Sequence, residues 1–180
     1  FAWLKNTNLG SMNKVFALFT FLAPVLLLAQ TTPYFQQKVD HVIHVTLNDT
    51  EHELDADITT TYTNNSPDVL DEIWMHLWPN AYSSAETALA KQQFRDGNMF
   101  MFYALAKDMG GIEGLNFKVN NSTVEWRLDE ENPDIAVIIL NEPLSTGSTL
   151  EISTPFKVRI PSGKISRLGH VGQSYQITQW

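Results

Sequence analysis

Two stretches of strict alternation constrain this chain most. In residues 39–47 (VDHVIHVTL), Val39, His41, Ile43, Val45 and Leu47 fall on one face of an extended chain, and within ELDADITTTYT the residues Leu54, Ala56, Ile58, Thr60 and Tyr62 do the same. A period of two is the signature of half-buried strands, and the Asn48-Asp49 turn region between them makes the pair antiparallel neighbours. Asn64-Asn65-Ser66-Pro67-Asp68 then supplies a strong turn cluster.

Downstream, Ile73 to Trp78 (IWMHLW) is almost continuously apolar and predicts a strand covered on both faces. Thr87 to Phe94 (TALAKQQF) carries good helix formers, and Asn98 to Met109 reads as a second short helix stopped by Gly110-Gly111. Four more strand candidates follow: Gly114 to Val119, Thr123 to Leu128, Ile135 to Leu140 and Thr149 to Ile160. Their spacing of roughly 8–12 residues favours a sandwich or a curved sheet. The expected fold is all-β, a saddle-like curved sheet or β-sandwich with a short helical insertion near residues 85–109.

Not all 180 residues fit that domain. From Met12 a short basic start leads into the apolar run Val15 to Ala29, which reads as a signal peptide over 12–29 cleaved after Ala29. Pro24 interrupts the run, which is shorter than the roughly 20 apolar residues that span a bilayer, so no stable membrane anchor is expected after cleavage. Residues 1–11 precede the start methionine and form no domain. The expected destination is the periplasm or the extracellular space.

Removing residues 1–29 takes away Lys5 and Lys14 and no acid, which leaves a net charge of about −10. With no offsetting basic cluster, nucleic acid is a poor partner. Without cysteine there are no disulfides and no thiolate metal sites. About 150 residues remain, enough to bury roughly two-thirds of the unfolded surface as one domain.

The five histidines form no local metal motif. His52-Glu53 lacks the second His that H-E-x-x-H would need and reads as a solvated turn, His41 and His44 point to opposite faces of one strand, and His76 reads as a hydrogen-bonded core histidine. Four N-x-Ser/Thr sequons begin at Asn48, Asn64, Asn120 and Asn121, and would matter only in a glycosylating host.

The segment Ser166 to Trp180 (SRLGHVGQSYQITQW) is richer. Gly169 and Gly172 permit close backbone approach or positive φ, and the glutamine amides offer donors and an acceptor from a rigid strand. It reads as the last strand of an N-terminal domain, aimed at something beyond the chain.

The order Y-F-Q-Q-K-V-D-H, H-L-W-P-N-A-Y, T-A-L-A-K-Q and finally S-R-L-G-H-V-G-Q-S-Y-Q-I-T-Q-W resembles the N-terminal domain of secreted zinc aminopeptidases related to aminopeptidase N and leukotriene hydrolase. The resemblance covers residues 34–180 and implies a saddle-shaped β domain packed over a thermolysin-like catalytic domain that is absent here. It also implies that a glutamine, Gln176 or Gln179, binds the free amino terminus of a peptide substrate. Zinc belongs to the full-length parent: H-E-x-x-H, the distal Glu ligand and the transition-state Tyr have no counterpart in this sequence. Gly110-Gly111-Ile112-Glu113-Gly114 lacks the Met and Asn of the family's Gly-x-Met-Glu-Asn segment and reads as a loop. The chain alone is expected to have no peptidase activity. An independent exported β-sandwich binding peptide or carbohydrate is the alternative.

Overall fold

The computed structural model describes residues 34–178; the signal-peptide reading of 12–29, residues 1–11 and Gln179 lie outside them. Contacts divide the chain into Phe1–Phe35 and Gln36–Trp180, and the strands and helices described below all lie in the second unit.

Strands β1 (Lys38–Asn48) and β2 (Glu53–Thr63) pair antiparallel over their whole length, as the alternation requires. β3 (Leu70–His76) follows, then a 3-10 turn (Trp78–Tyr82), α1 (Ala88–Arg95), α2 (Phe100–Tyr103) and a second 3-10 turn (Ala106–Asp108). The remaining strands are β4 (Gly111–Glu113), β5 (Lys118–Val119), β6 (Ser122–Thr123), β7 (Trp126–Leu128), β8 (Ile135–Leu144), β9 (Thr149–Arg159), β10 (Gly169–Val171) and β11 (Ser174–Gln176). Mostly strand with a helical excursion, the fold is the expected all-β sandwich with a short helical insertion.

The larger sheet runs β1-β2-β9-β5-β6, with β4 also on β9, and the smaller runs β3-β8-β7. β9 occupies the centre because its sequence alternates without error: Leu150, Ile152, Thr154, Phe156 and Val158 are all buried. Pro155 has no N–H to donate. It falls where the ladder on the far edge of β9 is interrupted, between the β5 pairing at Ser153 and the β4 pairing at Lys157.

Two apolar clusters cover one face of this sheet. At one end Ile152 and Leu150 pack with Phe117, which precedes β5, and with Ile73, Ile138 and Leu140 from the smaller sheet. At the other, Val158, Phe156 and Leu54 pack with Met101, Met109, Ala90 and Tyr82 of the helical excursion and with Ile165 and Leu168. β1 is different. Its Val39, Ile43, Val45 and Leu47 continue the apolar face, in register with Tyr62, Ile58, Ala56 and Leu54, yet remain exposed. The half-burial expected of this strand is therefore not met, because the covering layer among the described residues ends at β2.

Several local expectations are corrected. Only Ile73 of β3 is buried and Trp74 is 55% exposed, because β3 itself meets the core through one face. His76 accordingly sits on the outward face, beside Asp134 (2.9 Å) and against Trp78, rather than in the core. The second helix is a single turn, since Ala104 and Leu105 adopt extended ψ near 144° and 155°. Apolar residues lie all around that segment, so no single helical face can be buried. The expected strand Thr123 to Leu128 is divided between β6 in one sheet and β7 in the other. Gly111–Glu113 is a strand on β9 and not a loop, a pairing with residues 157–159 that local composition does not encode.

The helix that does form is well specified. Thr87 Oγ1 accepts from the Ala90 N–H (3.2 Å) and donates to the Ala81 carbonyl (2.8 Å), capping α1 and tying it to the preceding turn.

One sequon residue is structural. Asn64 is fully buried, its Nδ2 donating to the carbonyls of Asp68 (2.8 Å) and Leu144 (3.0 Å), its Oδ1 accepting from the N–H (3.0 Å) and hydroxyl (2.6 Å) of Ser66. Such a side chain is not available for glycosylation. Replacing it by Ala leaves the Leu144 carbonyl and the buried Ser66 N–H without their side-chain partner, whereas the Asp68 carbonyl keeps the Ser66 hydroxyl (3.0 Å); Asn64→Ala is expected to lower unfolding free energy by about 3 kcal/mol in chemical denaturation, with the m-value unchanged.

Candidate functional site

The segment Ser166 to Trp180 is not a single last strand. It folds back on itself as the β10–β11 hairpin, with Gly169 opposite Gln176, His170 opposite Tyr175 and Val171 opposite Ser174. Gly172 turns the chain at φ +56°, a left-handed conformation that costs a residue with a Cβ roughly 1–2 kcal/mol. Gly169 serves the other use of glycine, close approach: a Cβ built there would lie 2.6 Å from Gly163 Cα. Both roles are legible in the sequence, whereas the hairpin itself is signalled only by the two-residue Gly172-Gln173 turn between Val171 and Ser174.

The hairpin is tied at its base. The Gly163 N–H donates to the His170 carbonyl (2.9 Å), the His170 N–H to the Pro161 carbonyl (3.0 Å), and Leu168 is buried in the core just before it. Thr178 Oγ1 donates to the Arg167 carbonyl (2.9 Å), and Ile177 packs against the core.

Its tip is latched to the β1–β2 turn. Gln173 Nε2 donates to the Asp49 carbonyl (3.0 Å), and the Tyr175 hydroxyl lies within 2.6 Å of His52 Nδ1, 3.0 Å of the Asp49 carbonyl and 3.3 Å of Gln173 Oε1. A phenol has one proton, and Asp49 O and Gln173 Oε1 can only accept. The arrangement that satisfies most partners has His52 Nδ1–H donating to the phenol oxygen while the phenol donates to the Asp49 carbonyl. The His52 ring also stacks on His170, centroids 3.7 Å apart and planes inclined by 21°. The reading of His52-Glu53 as a solvated turn is thus corrected for His52, which takes positive φ and forms a four-residue contact with Asp49, His170 and Tyr175.

This latch leaves one amide free. Gln173 is consumed in anchoring the tip. Gln176 is exposed, and its side chain makes no hydrogen bond among the described residues. The hairpin therefore presents a solvent-facing amide on a short, doubly anchored ladder. Gln179, the other candidate from the sequence, lies outside the described residues.

The histidines do not assemble a metal centre. Among the described residues no group of three or more His, Asp or Glu side chains converges. His41 meets Thr60 (2.9 Å), His44 meets Asp57 (3.0 Å) on the surface, and His52 and His170 lie face to face, which does not aim their nitrogens at one ion. These residues do not fit a zinc site.

Burial, then the nearby Asp49 charge, hold the Tyr175 phenol above its ordinary pKa of 10.0. A raised phenol pKa means the neutral form is favoured in the fold. Its stabilisation is complete below pH about 10 and is lost as pH rises through the higher folded value. Tyr175→Phe is expected to lower the Tm at neutral pH, and to fall less steeply in Tm than the unsubstituted chain as the pH rises above about 10. Gly169→Ala is expected to cost about 2 kcal/mol, because the atom it meets is backbone and cannot rotate away; thermal unfolding measures both.

No protein-family model and no curated protein matches the sequence. The chain is similar in structure to M1 zinc metallopeptidases. One solved structure, a mutant M1 zinc metallopeptidase from Deinococcus radiodurans, matches at 14% identity and a TM-score of 0.47, over 76% of this chain and 24% of that one. A two-domain M1 zinc metallopeptidase mutant bound to L-arginine matches at 16% identity and a TM-score of 0.44, over 71% and 22%. A further structure from Deinococcus radiodurans matches at 15% identity and a TM-score of 0.44, over 69% and 20%. The chain spans about a fifth to a quarter of the length of these solved structures.

Proposed function

We propose that the chain is the N-terminal domain of an exported zinc aminopeptidase, and that it forms one wall of the active-site cleft and binds the free amino terminus of the peptide substrate. The ordered set of motifs from Tyr34 to Trp180 supports this reading, and the observation that carries it is the free Gln176 amide on the latched hairpin. A neutral amide oxygen accepts a hydrogen bond from an ammonium without adding a second buried charge to the site. Anchoring at both base and tip limits the motion of that oxygen, which is what a positioning contact requires.

Zinc and the water it activates belong to the catalytic domain of the parent, and this chain contributes recognition and no bond-breaking step. The exported location rests on the signal-peptide pattern at residues 12–29. Mass spectrometry of the exported protein is expected to find Gln30 as its first residue.

In the parent enzyme, Gln176→Ala is expected to lower kcat/KM for an unblocked aminoacyl substrate by about 100-fold, the loss of roughly 2.7 kcal/mol of transition-state binding, while zinc content stays the same. A gene that lacks H-E-x-x-H downstream of Trp180 overturns the assignment, and an unaltered kcat/KM in the Gln176 variant moves the amine contact to Gln179.

A second reading, an independent module binding peptide or carbohydrate, is favoured by Trp74 and Trp78, which are 55% and 39% exposed beside His76. Saturable quenching of their fluorescence by a soluble oligosaccharide, in a chain that ends after Trp180 in its native gene, is the result that would replace the first reading.

A further inference from the structure

The helical excursion holds a second feature that the hairpin does not share. A surface cavity of about 470 Å³ lies between α2, the turn that follows it and the Pro161–Lys164 segment. This is within the size range of small-molecule sites. Its apolar walls are Met99, Phe100, Tyr103 and Leu105, of which Met99, Tyr103 and Leu105 are exposed. Gln176 does not line it.

Two charges of opposite sign also line this cavity, the Asp108 carboxylate and the Lys164 ammonium. They do not pair with each other, and neither makes an ion pair or side-chain hydrogen bond among the described residues. Lys164 Nζ is steered instead over the Phe100 ring, 5.9 Å from its centroid. Asp108 is half-buried, its backbone fixed by the Ser162 N–H donating to its carbonyl (2.9 Å).

From this combination we infer that the cavity binds a free α-amino acid with a large apolar side chain. The ligand's carboxylate meets Lys164, its ammonium meets Asp108, and its side chain lies against Phe100, Met99 and Leu105. A monoanion satisfies Lys164 alone and leaves Asp108 beside an apolar ligand; a monocation does the reverse. Only a zwitterion answers both charges at once. The partly open site and its solvated charges set the expected affinity near 1 mM. This site is independent of the peptidase reading.

Carbon-13 methyl labelling of methionine tests the site directly, because Met99 lines the cavity while Met101 is buried in the core. Titrating L-phenylalanine into the full chain is expected to shift the Met99 methyl saturably. N-acetyl-phenylalanine, lacking the ammonium, and phenylalanine amide, lacking the carboxylate, should each bind about tenfold more weakly, a difference of roughly 1.4 kcal/mol. Asp108→Asn should abolish the advantage of L-phenylalanine over its N-acetyl form, and Lys164→Gln its advantage over the amide, with the Met101 methyl resonance unmoved as a check on folding. No saturable Met99 shift, or equal affinity for all three compounds in the parent chain, overturns the inference.

Discussion

Backbone pairing along β9 is the constraint on which the other parts depend. This strand pairs with β2 over its full length on one edge and with β4 and β5 on the other, and every inward residue from Leu150 to Val158 is buried. The smaller sheet and the helical excursion each pack on one end of it, and the chain leaving its end at Ile160 leads into the hairpin. Burial of apolar side chains on this strand thus holds three otherwise separate pieces in one frame. A void there would be felt by both clusters, since packed interiors relax little.

The hairpin is placed by a different mixture of forces. Its base depends on glycine and backbone hydrogen bonds, while its tip depends on polar side chains and ring stacking at the β1–β2 turn. The turn itself is built to receive it: the Asn48 side chain accepts from the N–H groups of Thr50 and Glu51, and the His52 carbonyl accepts from Ile160. A polar latch of this kind is directional where apolar packing is not. It fixes which face of the hairpin meets the turn and leaves the Gln176 side chain on the side that faces solvent.

What could be read from the sequence followed from range. β1, β2 and β9 are long and alternate in their own residues, β8 opens on the continuous apolar run Ile135 to Leu140, and α1 announces itself through Thr87 and its helix formers, so local pattern suffices. Gly111–Glu113 becomes a strand only because β9 offers a free edge, and Trp126 and Ser122 part company because two sheets compete for one short segment. The run IWMHLW has the composition of a doubly covered strand, but coverage is decided by what lies above it. Of the site, the glycines at 169 and 172 were legible because their constraint is local. The union of His52 with His170 and Tyr175 spans more than a hundred residues and leaves no local trace.

The contact between Gly163 and Gly169 carries a consequence for how accurately Gln176 can be held. Most packing contacts end in side chains, whose rotamers absorb small displacements at modest cost. Here backbone meets backbone, and no torsion is available to soften the approach. Gln176 sits directly across the ladder from Gly169, so its Cα inherits the stand-off set by two main chains in contact. The remaining freedom is that of its own side-chain torsions. A ligand that fixes the amide therefore has only one side chain to immobilise, an ordering cost of roughly 1–2 kcal/mol.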